Sequence, residues 1–215
     1  MGVLAGFDPG GEGSFGWCVA EDAPTLPLNV RISGVVNNAR EANIAVLNHL
    51  HPGEQILAAG IDAPLLWIAD DDRESDRIIR SQICALGCPG GTVQHVNSLF
   101  GACLVQGMLT GILLRSSWPD LPITEAHPKA FLWQVGVANK HQKPPSISLA
   151  SMAKYLLSPT GREQSHERDA AIAALSAWAM IHRPQDWQDL YLREQDPYSP
   201  ITGPLGYWMP VGTDG

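Results

Sequence analysis

The fold of this chain is decided by its opening stretch, Val3-Leu4-Ala5-Gly6-Phe7-Asp8-Pro9-Gly10-Gly11. A short apolar run that ends in Asp, Pro and Gly is typical of a buried strand stopped by a turn. The next apolar run, residues 15–20, predicts a second strand paired with the first through that turn. Residues 29–36 predict a third strand, and the prolines before it indicate a hairpin with a long loop.

The spacing of apolar residues then predicts a helix followed by another strand. Residues 39–50 carry apolar side chains at helical spacing, and Pro52-Gly53 ends that helix. Residues 55–62 predict a fourth strand, which closes on Asp62 shortly before a proline. The order strand, strand, strand, helix, strand, with Asp8 and Asp62 at strand ends, is the most informative arrangement in the sequence.

The second half of the chain predicts mostly helices. We expect them over residues 74–86, 99–114, 127–133, 147–157 and 165–181, with a brief strand over 121–125. Beyond Gln185 the chain is rich in proline, glycine and aromatic residues, with one strand expected near residues 207–211. We therefore expect a domain of residues 1–184 and a C-terminal extension, residues 185–215, packed on the same domain.

Composition places the chain of 215 residues among globular proteins. Charged residues are 17% and apolar residues 45%, which argues against a disordered chain, a coiled coil or a collagen-like repeat. No window approaches 18 uninterrupted apolar residues, so we expect no membrane span. The first charged residue of the chain is the acidic Asp8, and no basic region precedes it. We therefore expect no secretory signal and a cytoplasmic location.

The net charge of -8 argues against a non-specific nucleic-acid coat protein, which would usually be basic. It leaves room for an enzyme with a local basic groove. Residues 71–143 hold seven bases and six acids, whereas the flanking segments are both acidic. We therefore expect any contact with a polyanion to come from this middle segment.

Four cysteines allow two interpretations. We expect Cys18, Cys84, Cys88 and Cys103 to be free thiols, since a chain without a secretory signal meets a reducing compartment. Cys84 and Cys88, with His95 nearby, could instead indicate zinc. The C-x3-C spacing has no second cysteine pair, so free thiols are the favoured interpretation.

Carboxylates at the ends of apolar elements are the candidate catalytic groups. Asp8 and Asp62 follow strands, Glu125 follows the later strand, and Asp169 lies in the first turn of the last long helix. Such carboxylates would repel one another at one sheet edge unless a positive charge intervened. Mg²⁺ and Mn²⁺ prefer oxygen ligands of this kind, and two such ions can support phosphodiester cleavage.

Each of these acids also has an ordinary structural interpretation. Asp8 could belong to a plain turn, and Asp62 could satisfy loop amides. Asp169 could interact with a helix dipole. Glu125 could fill a structural role at a strand end.

Five motifs in order resemble those of a known family. Residues 6–11 resemble the opening strand and turn of resolvase-type RNase H-like nucleases. Ile61-Asp62-Ala63-Pro64-Leu65 is similar to a motif of the domain-of-unknown-function family numbered 429, described as predicted RNase H-like nucleases. Three later segments are also similar to motifs of that family: Arg73-Glu74-Ser75-Asp76, Glu125-Ala126-His127-Pro128 and Arg168-Asp169-Ala170-Ala171-Ile172-Ala173-Ala174. The resemblance covers residues 3–181.

The resemblance implies an RNase H-like α/β fold, with a mixed five-stranded sheet of order 3-2-1-4-5 and helices on both faces. It implies that Asp8 and Asp62 lie side by side on neighbouring strands and that Asp169 reaches in from the last helix. These three would be metal ligands for Mg²⁺ or Mn²⁺, and Glu125 would be a further catalytic carboxylate.

The closing helix departs from the family pattern in one respect. Related helices often carry a second acid three or four residues before the matching aspartate. This chain has Ser165 and His166 there, and Glu167 is out of phase. Either His166 or Glu167 contributes, or the site has one carboxylate fewer.

Basic residues suggest where nucleic acid would bind. Arg73 and Arg77 lie along one stripe of the helix 74–86, and Lys140 and Lys143 lie on the loop 138–146. The alternatives are a solvated helix face and an ordinary exposed loop. His127 could be a proton shuttle or a capping or packing residue.

The preferred function is that of a metal-dependent nuclease acting on phosphodiester bonds of DNA or RNA. The alternative is a non-catalytic RNase H-like scaffold or binding protein. A less favoured alternative is a phosphotransferase of the actin-like ATPase type, because that group needs two lobes and this chain has length for one. The C-terminal extension could also support a homodimer.

Overall fold

The computed structural model describes residues 2–68, 72–93, 101–158, 165–195 and 197–211. The strands are β1 (Gly2–Asp8), β2 (Phe15–Glu21), β3 (Leu28–Val36), β4 (Gln55–Ile61), β5 (Ile123–Glu125), β6 (Leu156–Leu157), β7 (Trp187–Asp189) and β8 (Leu205–Pro210). The α-helices are α1 (Ala39–Asn48), α2 (Glu74–Ala85), α3 (Gly101–Ser117), α4 (Pro128–Gln134) and α5 (Ser165–His182). Short 3-10 turns cover Gly90–Thr92, Pro144–Ser146, Leu149–Met152 and Leu190–Arg193.

The described strands form one mixed sheet of order β6-β3-β2-β1-β4-β5-β8-β7. β1, β2 and β3 pair antiparallel, while β4 lies parallel to β1 and β5 lies parallel to β4. The expected order 3-2-1-4-5 is confirmed as the centre of the sheet, and so is the mixed α/β class. The sheet is wider than the five strands expected, because β6 joins one edge and β8 and β7 join the other.

Helices cover both faces of the sheet, as expected. Core residues of α2, α4 and α5 pack on one face, and those of α1 and α3 pack on the other. Successive side chains of a strand point to opposite faces. In β1, Val3, Ala5 and Phe7 therefore join the core under α1 and α3, whereas Leu4 joins the core under α5. Asp8 continues the series that faces α5.

Helix α5 lies unusually close to the sheet because two strand residues have no side chain. A Cβ at Gly6 of β1 would overlap the carbonyl oxygen of Ala170, and a Cβ at Gly60 of β4 would overlap that of Ala173. The alanine-rich sequence of α5 keeps its own contact face small. This close approach carries Asp169, one residue before Ala170, over the ends of β1 and β4.

The helix expected over residues 147–157 is wrong. The chain forms a 3-10 turn over Leu149–Met152 and then the two residues of β6, which pair in parallel with Leu28 and Asn29 of β3. The N–H of Leu28 also donates to the carbonyl oxygen of Tyr155 at 2.9 Å. Residues 156 and 157 therefore pair with the open edge of β3 instead of continuing a helix. Residues 99 and 100 of another expected helix lie outside the described residues, and α3 continues to Ser117.

The C-terminal segment is part of the sheet. We expected one strand near residues 207–211, and the structure has both β7 and β8, with β8 in parallel pairing with β5. Leu190, Tyr207 and Met209 are fully buried in the core under α5. None of the helices in the described ranges is both long enough and apolar enough to cross a bilayer.

Candidate metal centre and its cleft

Three carboxylates meet at the carboxyl ends of β1 and β4. Asp8 is the last residue of β1, and Asp62 follows β4 with its N–H donating to the carbonyl oxygen of Phe7 at 2.9 Å. Asp169 is the fifth residue of α5. One carboxylate oxygen of each residue lies within 4.8 Å of the others. The structure thus brings together the three residues expected to bind metal.

Asp8 and Asp169 are buried and Asp62 is half-buried, and the mutual repulsion of the three carboxylates opposes their ionisation. Burial raises the pKa of Asp62 well above its ordinary value, and the carboxylates of Asp8 and Asp169 raise it further. Burial also raises the pKa of Asp169 to about 6, with the adjacent Arg168 guanidinium acting in the opposite direction. An added cation would relieve this repulsion, since opposite charge favours the ionised form of a carboxyl group.

Arg168 holds Asp169 in place, and the sequence reasoning gave it no role. Its Nε and Nη2 atoms donate to Oδ1 of Asp169 at 2.8 and 2.6 Å. Its Nη1 donates to the carbonyl oxygens of Pro144 and Ile147 at 2.6 and 2.7 Å. The side chain is 2% exposed, so these bonds are shielded from solvent. The signal in the sequence that could have indicated this role is an arginine directly before the acidic residue of an otherwise apolar helix.

His166 fills the position where a second acid was sought. Its Nδ1 lies 2.6 Å from Oδ2 of Asp8, and the imidazole is partly exposed. The hydrogen bond with Asp8 raises the pKa of His166, and burial acts in the opposite direction. Glu167 instead accepts a hydrogen bond from the hydroxyl of Ser33 on β3. Of the two alternatives left open, the structure places His166 at the cluster.

Glu125 lies near the cluster but belongs to a buried ion pair. Its two oxygens accept from Nη1 and Nη2 of Arg73 at 2.8 and 2.7 Å. Oε2 also accepts from the N–H of Leu65 at 3.0 Å and from the hydroxyl of Tyr191 at 2.5 Å. Three of these four hydrogen bonds go to Oε2, and Oε1 accepts one from Arg73. Glu125 is thus the buried partner of Arg73, and the catalytic role expected for it stays a prediction.

Arg73, which was expected to bind substrate, is the cation of this buried ion pair. It is 1% exposed, and its Nε and Nη2 also donate to the two oxygens of Asp76 at 2.8 and 2.7 Å. The two carboxylates neutralise the charge of the guanidinium, which therefore attracts a phosphate only weakly. Its role is to neutralise Glu125 and Asp76, because a buried charge without a partner is strongly destabilising.

The cluster opens into a cleft with a volume of about 310 Å³. Asp8, Asp62 and His166 line one part of it, and Lys129 and His127 line another. Burial lowers the pKa of His127 to about 4, so the imidazole is neutral near pH 7. Its Nδ1 has no hydrogen-bond partner among the described residues, and the side chain does not cap α4. Lys129 was not among the residues expected to bind substrate.

The other basic residues expected to bind substrate lie outside the lining of this cleft. The side chain of Arg77 is 68% exposed and forms an ion pair with Glu74 on the same helix. Lys140 and Lys143 are exposed on the loop after α4. These three residues stay candidate contacts for more distant phosphates.

The cysteines give no second metal centre in the described part of the chain. All four are free thiols, with Cys84 exposed and Cys88 buried. Cys88 donates to the hydroxyl of Thr92 at 3.1 Å. His95, the third residue of the zinc alternative, lies outside the described residues. The carboxylate cluster is the only group of metal-ligating side chains that the described ranges bring together.

The donor set fits a hard divalent cation. Three carboxylate oxygens offer the ligands that Mg²⁺ and Mn²⁺ prefer, and no thiolate is included. A softer metal would favour thiolate or several imidazoles. The cleft beside the cluster leaves room for water and substrate at the same centre.

Comparison with known proteins finds a distant structural likeness. No family model matches the chain, and no curated protein matches it in sequence. A structure of RuvC from Thermus thermophilus is similar to this chain at a TM-score of 0.47 and 17% identity, over 83% of this chain and 95% of that one. The same protein in complex with a Holliday junction substrate gives a TM-score of 0.45 and 15% identity over the same shares. The resemblance to the family numbered 429 stays a prediction.

Proposed function

We propose that this protein is a metal-dependent nuclease that hydrolyses phosphodiester bonds of DNA or RNA. The observation that carries the proposal is the convergence of Asp8, Asp62 and Asp169 at one sheet edge, beside an open cleft. Buried carboxylates that repel one another are costly unless they serve a cation. A cleft of this size admits a phosphodiester and its flanking sugars.

Asp8, Asp62 and Asp169 would hold Mg²⁺ or Mn²⁺. Such an ion, when bound, makes a nucleophile of water and stabilises the leaving oxygen of a phosphodiester. Arg168 fixes the carboxylate of Asp169, and His166 fixes that of Asp8. Ligands held in this way need little reorganisation when substrate enters.

Nucleic acid is the proposed partner. Within the cleft the substrate would meet the carboxylate cluster and the side chains of the β5–α4 segment. Outside it, Arg77, Lys140 and Lys143 would contact phosphates away from the cut. Such contacts weaken as the salt concentration rises, because they release counterions from the nucleic acid.

The test is a cleavage assay with matched charge controls. Labelled single-stranded, duplex and four-way-junction DNA, and RNA of the same forms, are incubated with wild type in Mg²⁺, in Mn²⁺ and in EDTA. We expect metal-dependent cleavage of at least one substrate. Asp62→Asn should abolish it, because the variant removes one carboxylate of the cluster.

Glu12→Gln is the control for charge and for contaminating nuclease. Glu12 is exposed in the turn between β1 and β2 and lies outside the cluster, so this variant should cleave as wild type does. Equal cleavage by wild type and Asp62→Asn would assign the activity to a contaminant. Absence of cleavage of every substrate would favour the non-catalytic scaffold.

A further inference from the structure

One basic side chain of the cleft has no neutralising partner among the residues that the structure describes. Arg73, Lys129 and His166 are the side chains lining the cleft that can act as cations. Arg73 is held by Asp76 and Glu125, and His166 is bonded to Asp8. Lys129 is exposed and forms no ion pair or hydrogen bond within the described residues. Its ammonium group is therefore free to meet an anion that enters the cleft.

The fold places Lys129 in the lining of the cleft that Asp8 and Asp62 also line. The N–H of Ala126, just after β5, donates to the carbonyl oxygen of Ile61 at 2.8 Å, directly before Asp62. Pro128 then begins α4, and Lys129 is its second residue. Burial raises the pKa of Asp62 and of Asp169, and the Lys129 charge acts on both carboxyls in the opposite direction. Lys129 thus lies in one cleft with two carboxylates of the cluster.

We propose that Lys129 binds a non-bridging oxygen of the phosphate that is cut at the cluster. The inference rests on the proposed nuclease function and names the residue that receives the substrate there. A phosphodiester carries one negative charge and would be repelled by three carboxylates alone. The ammonium offers up to three N–H donors to phosphate oxygens, and a charge-assisted hydrogen bond of this kind is strong. Lys129 is in this sense a catalytic residue.

The experiment compares Lys129→Gln with Lys129→Arg and with a control lysine. The control is Lys154→Gln, because Lys154 lies outside the cleft, with its ammonium 5.5 Å from the centroid of the Tyr155 ring. Binding of fluorescein-labelled single-stranded and duplex DNA is measured by anisotropy in EDTA over a range of salt concentrations. Cleavage is then measured in Mn²⁺ to separate kcat from KM. Thermal unfolding of each variant, with and without Mn²⁺, checks the fold and the metal site.

We expect Lys129→Gln to weaken binding about 10-fold, the effect of losing one charge-assisted hydrogen bond. The slope of log Kd against log salt should fall by about 0.7 to 0.9, the contribution of one phosphate contact. Lys129→Arg should restore much of the binding, and Lys154→Gln should change neither quantity. Stabilisation by Mn²⁺ should survive in all variants, since Lys129 is no ligand.

Two results would overturn the inference, and they are distinguishable. Wild type that binds and cleaves DNA, with Lys129→Gln equal to Lys154→Gln in Kd, salt slope and KM, removes Lys129 from the site and leaves the nuclease function standing. Wild type that neither binds nor cleaves any nucleic acid overturns the nuclease function and this inference together.

Discussion

Two buried arginines bind the carboxylates around the cleft with different hydrogen-bonding patterns. Arg168 donates two hydrogen bonds to a single oxygen of Asp169. Arg73, in contrast, donates to both oxygens of Glu125. Three hydrogen bonds go to Oε2 of Glu125 and one goes to Oε1, so both oxygens take part in the buried ion pair. This difference in partners, at the scale of single atoms, separates a candidate metal ligand from a structural acid.

The ion pair of Arg73 should be essential for stability. Arg73→Met leaves Glu125 and Asp76 buried without their cation, so we expect the free energy of unfolding to fall by about 3–5 kcal/mol. Arg77→Met, on the same helix, removes an exposed ion pair and should cost less than about 1 kcal/mol. Urea unfolding of both variants checks this. Equal losses would show that Arg73 is not the buried partner described.

The metal-free protein should lose stability as the pH rises. The pKa of Asp169 is raised from 3.8 to about 6, and that of Asp62 is raised in the same direction. The folded state therefore holds these protons more tightly than the unfolded chain does. Their favourable contribution is complete below about pH 4 and is lost as the pH rises through about 6.

Asp62→Asn removes one of the repelling charges and tests this pH dependence. In EDTA its Tm should exceed that of wild type at pH 8, and the difference should shrink towards pH 4. Each kcal/mol corresponds to about 2–4 °C for a chain of this size. Thermal unfolding across that pH range measures the difference, and a Tm difference that does not change with pH would contradict the account.

The sequence predicted which acids meet but not which partners they have. Asp8 and Asp62 each follow an apolar strand and precede a proline closely, so their edge of the sheet could be foreseen. The pairing of Arg73 with Glu125 joins residues 52 apart, and no local pattern encodes it. Lys129 belongs to no motif that the sequence analysis selected.

At the scale of elements, the approach of α5 to the sheet sets the geometry of the cluster. Gly6 on β1 and Gly60 on β4 lie directly beneath the backbone of α5, where a Cβ would overlap carbonyl oxygens. These oxygens belong to a rigid helix backbone and have little freedom to move. The position of Asp169 over the strand ends thus depends on two absent side chains.

Gly6→Ala and Gly60→Ala should therefore displace α5. We expect each to lower the free energy of unfolding by about 1–3 kcal/mol or more, as overpacking a core does, and to weaken metal binding. Gly11→Ala is the matched control, because a Cβ there meets nothing within 4 Å. Thermal unfolding with and without Mn²⁺ gives both quantities. Variants at Gly6 and Gly60 that behave like Gly11→Ala would refute the close contact.

Hydrophobic periodicity predicted most elements to within a few residues. It failed over residues 147–157, where the pattern of apolar side chains was compatible with a helix. The competing partner was the free edge of β3, which lies far away in sequence. Edge pairing of this kind depends on tertiary placement, so the local pattern could not reveal it.

At the scale of the whole molecule, the C-terminal segment connects the sheet to the cleft. Besides the pairing of β8 with β5, Tyr191 bonds Glu125. Glu194 accepts from the backbone N–H groups of Glu74 and Ser75 at the start of α2. The sequence predicted only that this segment packs on the domain. The structure shows that it also contacts Glu125 of the buried ion pair and the start of α2.

Truncation after Pro184 should thus unfold the protein or cause it to aggregate. It would expose the edge of β5 and the core that Tyr207 and Met209 help to fill. Circular dichroism and size-exclusion chromatography of residues 1–184 provide the measurement, with residues 1–211 as the control. A folded, monomeric fragment with the Tm of the full chain would show that the segment is dispensable.

The central claim is that Asp8, Asp62 and Asp169 bind a divalent cation, and thermal unfolding against Mn²⁺ and Mg²⁺ concentration tests it most directly. Binding to the folded state raises the Tm by mass action, equivalent to about 2.7 kcal/mol at 100 times Kd. We predict that wild type and Glu12→Gln are stabilised and that Asp8→Asn is not. No response of wild type at millimolar metal, or an equal response of Asp8→Asn, would contradict the claim.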